Sequence, residues 1–190
     1  MGKKLSEMTL EELWQLFPIY LAEHREDWHV WYYAEEASLR GLIPQAVRMS
    51  HVGSTAVCGI WAKPIIDILV ELPRDDDMSG VCNMLEQHGY ICMSRDDKRI
   101  SLNKGYTENG FAERVFHLHL RYADDNDELY FRDYLMAYPD IAAEYERLKL
   151  ALWKQYEHDR DGYTAAKTGF IKKHTAEAKQ KFGTRYRTYQ

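Results

Sequence analysis

The residues best placed to do chemistry fall between His51 and Leu72, in the run HVGSTAVCGIWAKPIIDILVEL. Gly53 opens a small-residue turn with Ser54 and Thr55 behind it. A glycine there frees the backbone to turn its N–H groups onto an anion, and two hydroxyls can join them. Lys63 is a candidate counter-charge for phosphate. The apolar run that follows carries Asp67 and Glu71.

Alternation places these acids. On a strand from Ile65 to Leu72, the apolar face is Ile66, Ile68, Val70 and Leu72, and the other face is Ile65, Asp67, Leu69 and Glu71. A carboxylate in mid-strand is costly to bury unless a partner or a cation meets it. A second strand, Arg114–Tyr122, repeats the pattern, with Phe116, Leu118 and Leu120 on one face and Val115, His117, His119 and Arg121 on the other. If the two strands are neighbours, Asp67, Glu71, His117 and His119 converge as metal ligands, with Asp67, Glu71 and His119 as the catalytic groups. Carboxylates suit Mg²⁺ or Mn²⁺, and imidazole admits Zn²⁺.

The elements that must position these residues can be read from periodicity. Ser6–Leu39 reads as helix, opened at Thr9 and broken or kinked at Pro18, with Trp28, Trp31, Tyr32 and Leu39 on one face. Strands are expected at Ala46–Val52, Ile65–Leu72, Tyr90–Met93, Arg99–Asn103 and Arg114–Tyr122, with a turn from Gly105 to Gly110. Met78, Val81, Cys82 and Leu85 mark a helix closed by Gly89, with Asp75, Asp76 and Asp77 as its acidic first turn. Helices follow from Asp124 to Tyr138 and onward from Pro139, whose buried stripe is Ile141, Tyr145, Leu148 and Leu152. Asp161-Gly162 breaks that helix, and a last one runs from Tyr163 to Lys181. The order is α+β: a mixed sheet flanked by helices, with a helical C-terminal part. One domain is expected over 1–190, with N-terminal helices in 1–43, the sheet core in 44–122 and C-terminal helices in 123–190.

Composition narrows the classes. Of 190 residues, 45% are hydrophobic and 13% aromatic, so the chain builds a core. A net charge of -5 argues against a bulk nucleic-acid binder, and the stretch from Lys167 to Arg187 is the place to seek a local basic patch. Three cysteines without a Cys-x-x-Cys pair fit a reducing, cytoplasmic setting. The N-terminus carries acids inside its apolar run and does not read as a signal peptide, and no apolar run reaches membrane-spanning length. Tyr163 and Lys167, one helical turn apart, read as packing plus a solvated amine. Arg99, Lys104 and Arg114 are further candidates for positive charge near the site.

The segment HVGSTAV-x-G-x-x-AKPIIDILV resembles the GrpB family of predicted nucleotidyltransferases, and more broadly the polymerase-β-like nucleotidyltransferase superfamily. NKGYTENGFAERVFHLHLR, LYFRDYL, PDIAAEYERLK and YTAAKTGF resemble GrpB segments in the same order. The resemblance implies a nucleotidyltransferase-type mixed sheet, Gly53 and Ser54 as a phosphate loop, Asp67 as the first metal acid, and a nucleoside triphosphate with a small-molecule acceptor as ligands. Leu69 stands where the superfamily pattern carries its second acid, and His117 and His119 stand where a third acid is expected. A non-catalytic nucleotide- or metabolite-binding domain, or a metal-dependent phosphohydrolase-like enzyme, are the alternatives.

Overall fold

The computed structural model describes residues 3–188. Its elements run α1 (Leu10–Leu16), α2 (Asp27–Leu42), β1 (Arg48–Val52), β2 (Ile66–Leu72), α3 (Met78–Glu86), β3 (Ile91–Arg95), β4 (Arg99–Thr107), β5 (Gly110–Tyr122), α4 (Asp127–Ala137), α5 (Pro139–Gln155) and α6 (Arg160–Phe182). The five strands form one mixed sheet in the order β1-β2-β5-β4-β3. β2 and β5 pair in parallel, whereas the other neighbours are antiparallel. A parallel pair needs a long crossover, here α3 with the β3–β4 hairpin.

Alternation sorts the two faces. Ile66, Ile68, Val70 and Leu72 pack with Phe116, Leu118 and Leu120 on one side. There they meet Trp28, Trp31, Tyr32 and Leu39 of α2 and Met78, Val81, Cys82 and Leu85 of α3. The opposite face carries Asp67, Leu69, His117 and His119, and α4 approaches it through Leu129, which packs on Val52 and Leu69.

Several boundaries differ from expectation for physical reasons. The N-terminal helical stretch is interrupted between Leu16 and Asp27. Past Pro18 the chain forms no helix until Asp27, and Ala22 forms a bridge with Ala62 instead of continuing a helix. The acids Asp75, Asp76 and Asp77 precede α3 rather than forming its first turn, and Asp77 takes the N-cap position. The β4–β5 hairpin is longer than alternation suggests. Gly105, at φ +91°, sits at a register shift that lets pairing resume at Tyr106 and Phe111. A Cβ at Gly105 would lie 2.3 Å from the Arg114 carbonyl oxygen. Asp161-Gly162 does not end a helix but lies in the first turn of α6, where Gly162 N–H donates to the Asp159 carboxylate at 2.8 Å. Asp159 is therefore the cap.

Candidate functional site

The pairing of β2 with β5 sets the centre of the site. Asp67 stands opposite His117, and Leu69 opposite His119. Both imidazoles nevertheless turn to one oxygen: His119 Nε2 lies 3.1 Å and His117 Nδ1 3.5 Å from Asp67 Oδ1. His117 Nε2 is 2.9 Å from the Tyr106 hydroxyl, which fixes the ring from its far side. Burial pushes the Asp67 carboxyl up, but the two histidines outweigh that and hold it well below the usual carboxylate range. Burial lowers His117 against the opposing pull of Asp67, so a neutral ring is favoured there.

The loop after β1 lies directly on this carboxylate. Gly53 has φ +70° and ψ −172°, a conformation open essentially to glycine. A Cβ there would come within 2.3 Å of Asp67 Oδ2. Neither histidine claims Oδ2, which faces the loop backbone. Ser54 begins a single 3-10 turn and sits beside the Tyr145 phenol. Thr55 is spoken for: it is buried, its hydroxyl donates to the Ile65 carbonyl at 3.2 Å, and His51 Nε2 lies 2.9 Å away. Burial pushes His51 down to about 3, so the ring is neutral and its Nε2–H donates to Thr55. Thr55 braces the loop from beneath.

A cavity of about 620 Å³ opens over these residues, in the size range of small-ligand pockets. Gly53, Ser54, Thr55, Lys63, Asp67, His117 and His119 line it on the sheet side, and Tyr145, Lys149, Tyr163 and Lys167 on the helix side. The lysines are its main electrostatic feature. Lys63 and Lys167 lie 5.4 and 4.1 Å from the Tyr163 ring centroid. Lys149 is 2% exposed and donates to the Trp61 carbonyl. Burial, then repulsion from Lys167, lowers Lys63 and Lys149 to about 7. Burial lowers Lys167 to about 8 against the attraction of Asp67. Among the described residues none of the three forms an ion pair with a carboxylate. Such a cluster is poised to receive an anion.

Glu71 does not join this group. It is fully buried, ion-paired with Arg48 at 3.0 Å, and accepts from Asn126 Nδ2 at 2.9 Å and from the Asp124 N–H at 3.1 Å. Two pleats beyond Asp67, the strand has passed the cavity and reached the β5–α4 connection. The acid there ties that connection to the sheet. Leu69, between them, is buried against Val52 and Leu129. The expected four-residue metal set is thus reduced to Asp67 with two histidines. Even this trio is loose as an all-protein centre: among the described residues, the three-donor group whose atoms all lie within 4.8 Å of one another is His24, His29 and Cys58.

Sequence reasoning missed Lys149 and underrated Tyr163 and Lys167. Lys149 lies one turn after Tyr145 on a face expected to be apolar, and its only signal is a lysine within that stripe. The basic character sought in the C-terminal stretch is real at Lys167 and Lys172, which line the cavity; Lys179 lines it too but is ion-paired with Asp127, which borders the cavity with Glu128. Arg99, Lys104 and Arg114 lie elsewhere: Arg99 pairs with Asp125, Lys104 with Glu35, and Arg114 sits over Trp31.

A family model described as "GrpB protein" matches residues 18–177. The chain belongs to the GrpB family. It is 36% identical over 160 residues to the glutamate-rich protein GrpB of Alkalihalophilus pseudofirmus, covering 80% of this chain and 91% of that one. A UPF0157 protein of Streptomyces coelicolor is 28% identical over 176 residues, 90% of this chain and 91% of that protein. The crystal structure of the conserved protein GrpB from Enterococcus faecalis superposes with a TM-score of 0.74 at 30% identity, covering 86% and 99% of the two chains. The Cid1 poly(U) polymerase, in a crystal structure described as bound to Mg and 3′-dATP, matches with a TM-score of 0.50 at 11% identity. That match covers 76% of this chain and 49% of the polymerase, and it shows that this chain shares the fold of that part of the polymerase.

Proposed function

We propose that the cavity binds a nucleoside triphosphate and transfers its nucleotidyl group to a small-molecule acceptor. One observation carries this: a glycine loop, an ionised carboxylate and three lysines without a carboxylate partner among the described residues face the same cavity, on a sheet with the fold of a nucleotidyl-transferring polymerase. Lys63, Lys149 and Lys167 neutralise the phosphates, and the Gly53–Ser54 turn seats them. His119, held at Nε2 by the ionised Asp67, takes the proton of the acceptor hydroxyl, and Asp67 stabilises the imidazolium that forms. That hydroxyl oxygen attacks the α-phosphorus, and pyrophosphate leaves. We place the chemistry in the cytoplasm, with metabolites rather than nucleic acid as acceptors.

The residues fit one divalent ion of a particular kind. Mg²⁺ is commonly held by one or two carboxylates together with the phosphates of the ligand, and Asp67 with its free Oδ2 meets that requirement. Mn²⁺ fits the same donors, with His117 or His119 able to add nitrogen, and Zn²⁺ fits less well. When bound, the ion neutralises phosphate charge. A two-ion centre does not fit, because it needs carboxylates shared between ions about 3.5–4 Å apart, while Leu69 is apolar and Glu71 is bound to Arg48. Those two residues favour a second reading, a pocket that binds nucleotide without turnover. Incubation with labelled triphosphates and a metabolite extract separates the two. Pyrophosphate release that disappears in Asp67→Asn supports transfer, and binding without release for all four nucleotides supports the second reading.

A further inference from the structure

A second cluster of ligating side chains lies away from the cavity. His24 sits in the connection before α2, His29 in the first turns of α2, and Cys58 just beyond the 3-10 turn of Ser54–Ala56. None of the three lines the cavity. Their ligand atoms all fall within 4.8 Å of one another, and Cys58 Sγ lies 3.8 Å from His29 Nε2. Tetrahedral zinc with ordinary Zn–S and Zn–N lengths would set sulfur and nitrogen about 3.6 Å apart.

The state of His24 is a second, independent observation. Both of its ring nitrogens are buried and have no hydrogen-bond partner. An orphaned buried polar atom costs free energy and calls for a partner. Trp28 packs edge-on against the ring at 5.4 Å and His29 lies at 5.9 Å, so the ring is held near the other two donors. Cys58 is exposed and leaves a path for an ion to enter.

We propose that His24, His29 and Cys58 form a Zn²⁺ site, with water in the fourth position. One thiolate and two imidazoles are a soft-to-borderline donor set that favours Zn²⁺ over Mg²⁺. On binding, the Cys58 thiol gives its proton to solvent and a Zn–S bond forms. The ion would tie the Gly53–Ser54 loop to the start of α2, beside the Ala22–Ala62 bridge that already joins these segments. The site is separate from Asp67, His117 and His119 and does not depend on the nucleotide reading.

Full-length chain stripped with chelator and titrated with Co²⁺ tests this. One equivalent should bind with a thiolate-to-cobalt charge-transfer band, and Zn²⁺ should displace it. In Cys58→Ser the band should vanish. Zn²⁺ affinity should fall about 100-fold or more, since even outer-shell partners of a metal site cost 10–100-fold. His29→Gln should weaken Zn²⁺ binding to a similar extent, with the band kept but reached only at higher Co²⁺. Absence of the band in the unaltered chain would overturn the proposal. So would a band that survives in Cys58→Ser, which would assign it to Cys82 or Cys92. Zn²⁺ binding indifferent to Cys58→Ser but lost in His117→Ala would also overturn it.

Discussion

His119 Nε2 lies 3.1 Å from Asp67 Oδ1, although the strand register sets His119 opposite Leu69 and gives His117 to Asp67. The histidine reaches back one pleat along the parallel strand. Two rings on β5 thus serve one carboxylate on β2 and leave its second oxygen to face the Gly53 loop. Replacing Asp67 with Asn keeps the shape and removes the charge. Calorimetry should show that Mg²⁺ no longer strengthens triphosphate binding, with affinity in its presence down at least about tenfold, or ~1.4 kcal/mol. A metal effect undiminished in the variant would remove Asp67 from the site.

Lys149→Met separates binding from folding. The ammonium is buried without a carboxylate, so an apolar side chain of similar length removes a desolvation cost while leaving the Trp61 carbonyl unpaired. Thermal or urea unfolding should move by no more than about 1 kcal/mol. Triphosphate affinity should fall about tenfold or more. Unchanged affinity would show that the ligand's phosphates lie elsewhere.

The lysines also set opposite pH trends for stability and binding. In the folded chain Lys63 and Lys149 titrate at about 7 and Lys167 at about 8, below the ordinary lysine value of 10.5. Between those values the unfolded chain binds more protons than the folded one, so the ligand-free protein gains stability as pH rises from about 7 toward 10.5. Anion affinity should instead fall between pH 7 and 9. Binding near pH 8 should take up protons, measurable by calorimetry in buffers of different ionisation enthalpy.

Gly53→Ala should be damaging out of proportion to one methyl group. The added Cβ meets Asp67 Oδ2 at 2.3 Å in a backbone conformation that side chains rarely adopt. A cost of about 1–3 kcal/mol in unfolding free energy is expected, together with loss of the Asp67 metal effect as the carboxylate is displaced.

Glu71→Ala should have the reverse profile. It strands Arg48 and unties the Asp124–Asn126 connection, at a cost of about 3 kcal/mol. Below the unfolding transition, triphosphate affinity and its metal dependence should remain those of the unaltered chain. A selective loss of binding with unchanged stability would return Glu71 to the site.

Glu71 and Lys149 mark where sequence reasoning stops. Period-two alternation correctly puts Asp67, Glu71, His117 and His119 on one sheet face, because side-chain direction is local. Where along that face the cavity lies depends on how α4, α5 and α6 pack across it, and that is a tertiary matter. It leaves Glu71 against Arg48 and Asn126. The same packing turns Lys149, on a stripe that reads as core, into part of the cavity wall. The hairpin from Arg99 to Tyr122 was legible in existence but not in length, since one residue, Gly105, carries the bulge that extends it. Pro18 marked an end to α1, yet nothing local shows that the chain beyond it pairs with Ala62.

The most direct measurement is a calorimetric titration of the four nucleoside triphosphates into the full-length chain, with and without Mg²⁺ or Mn²⁺, at pH 7. Saturable binding to one site is predicted, strengthened by the metal, with the metal effect lost in Asp67→Asn and the overall affinity reduced in Lys149→Met. Failure of all four nucleotides to bind in either condition, or binding indifferent to both substitutions, would contradict the account.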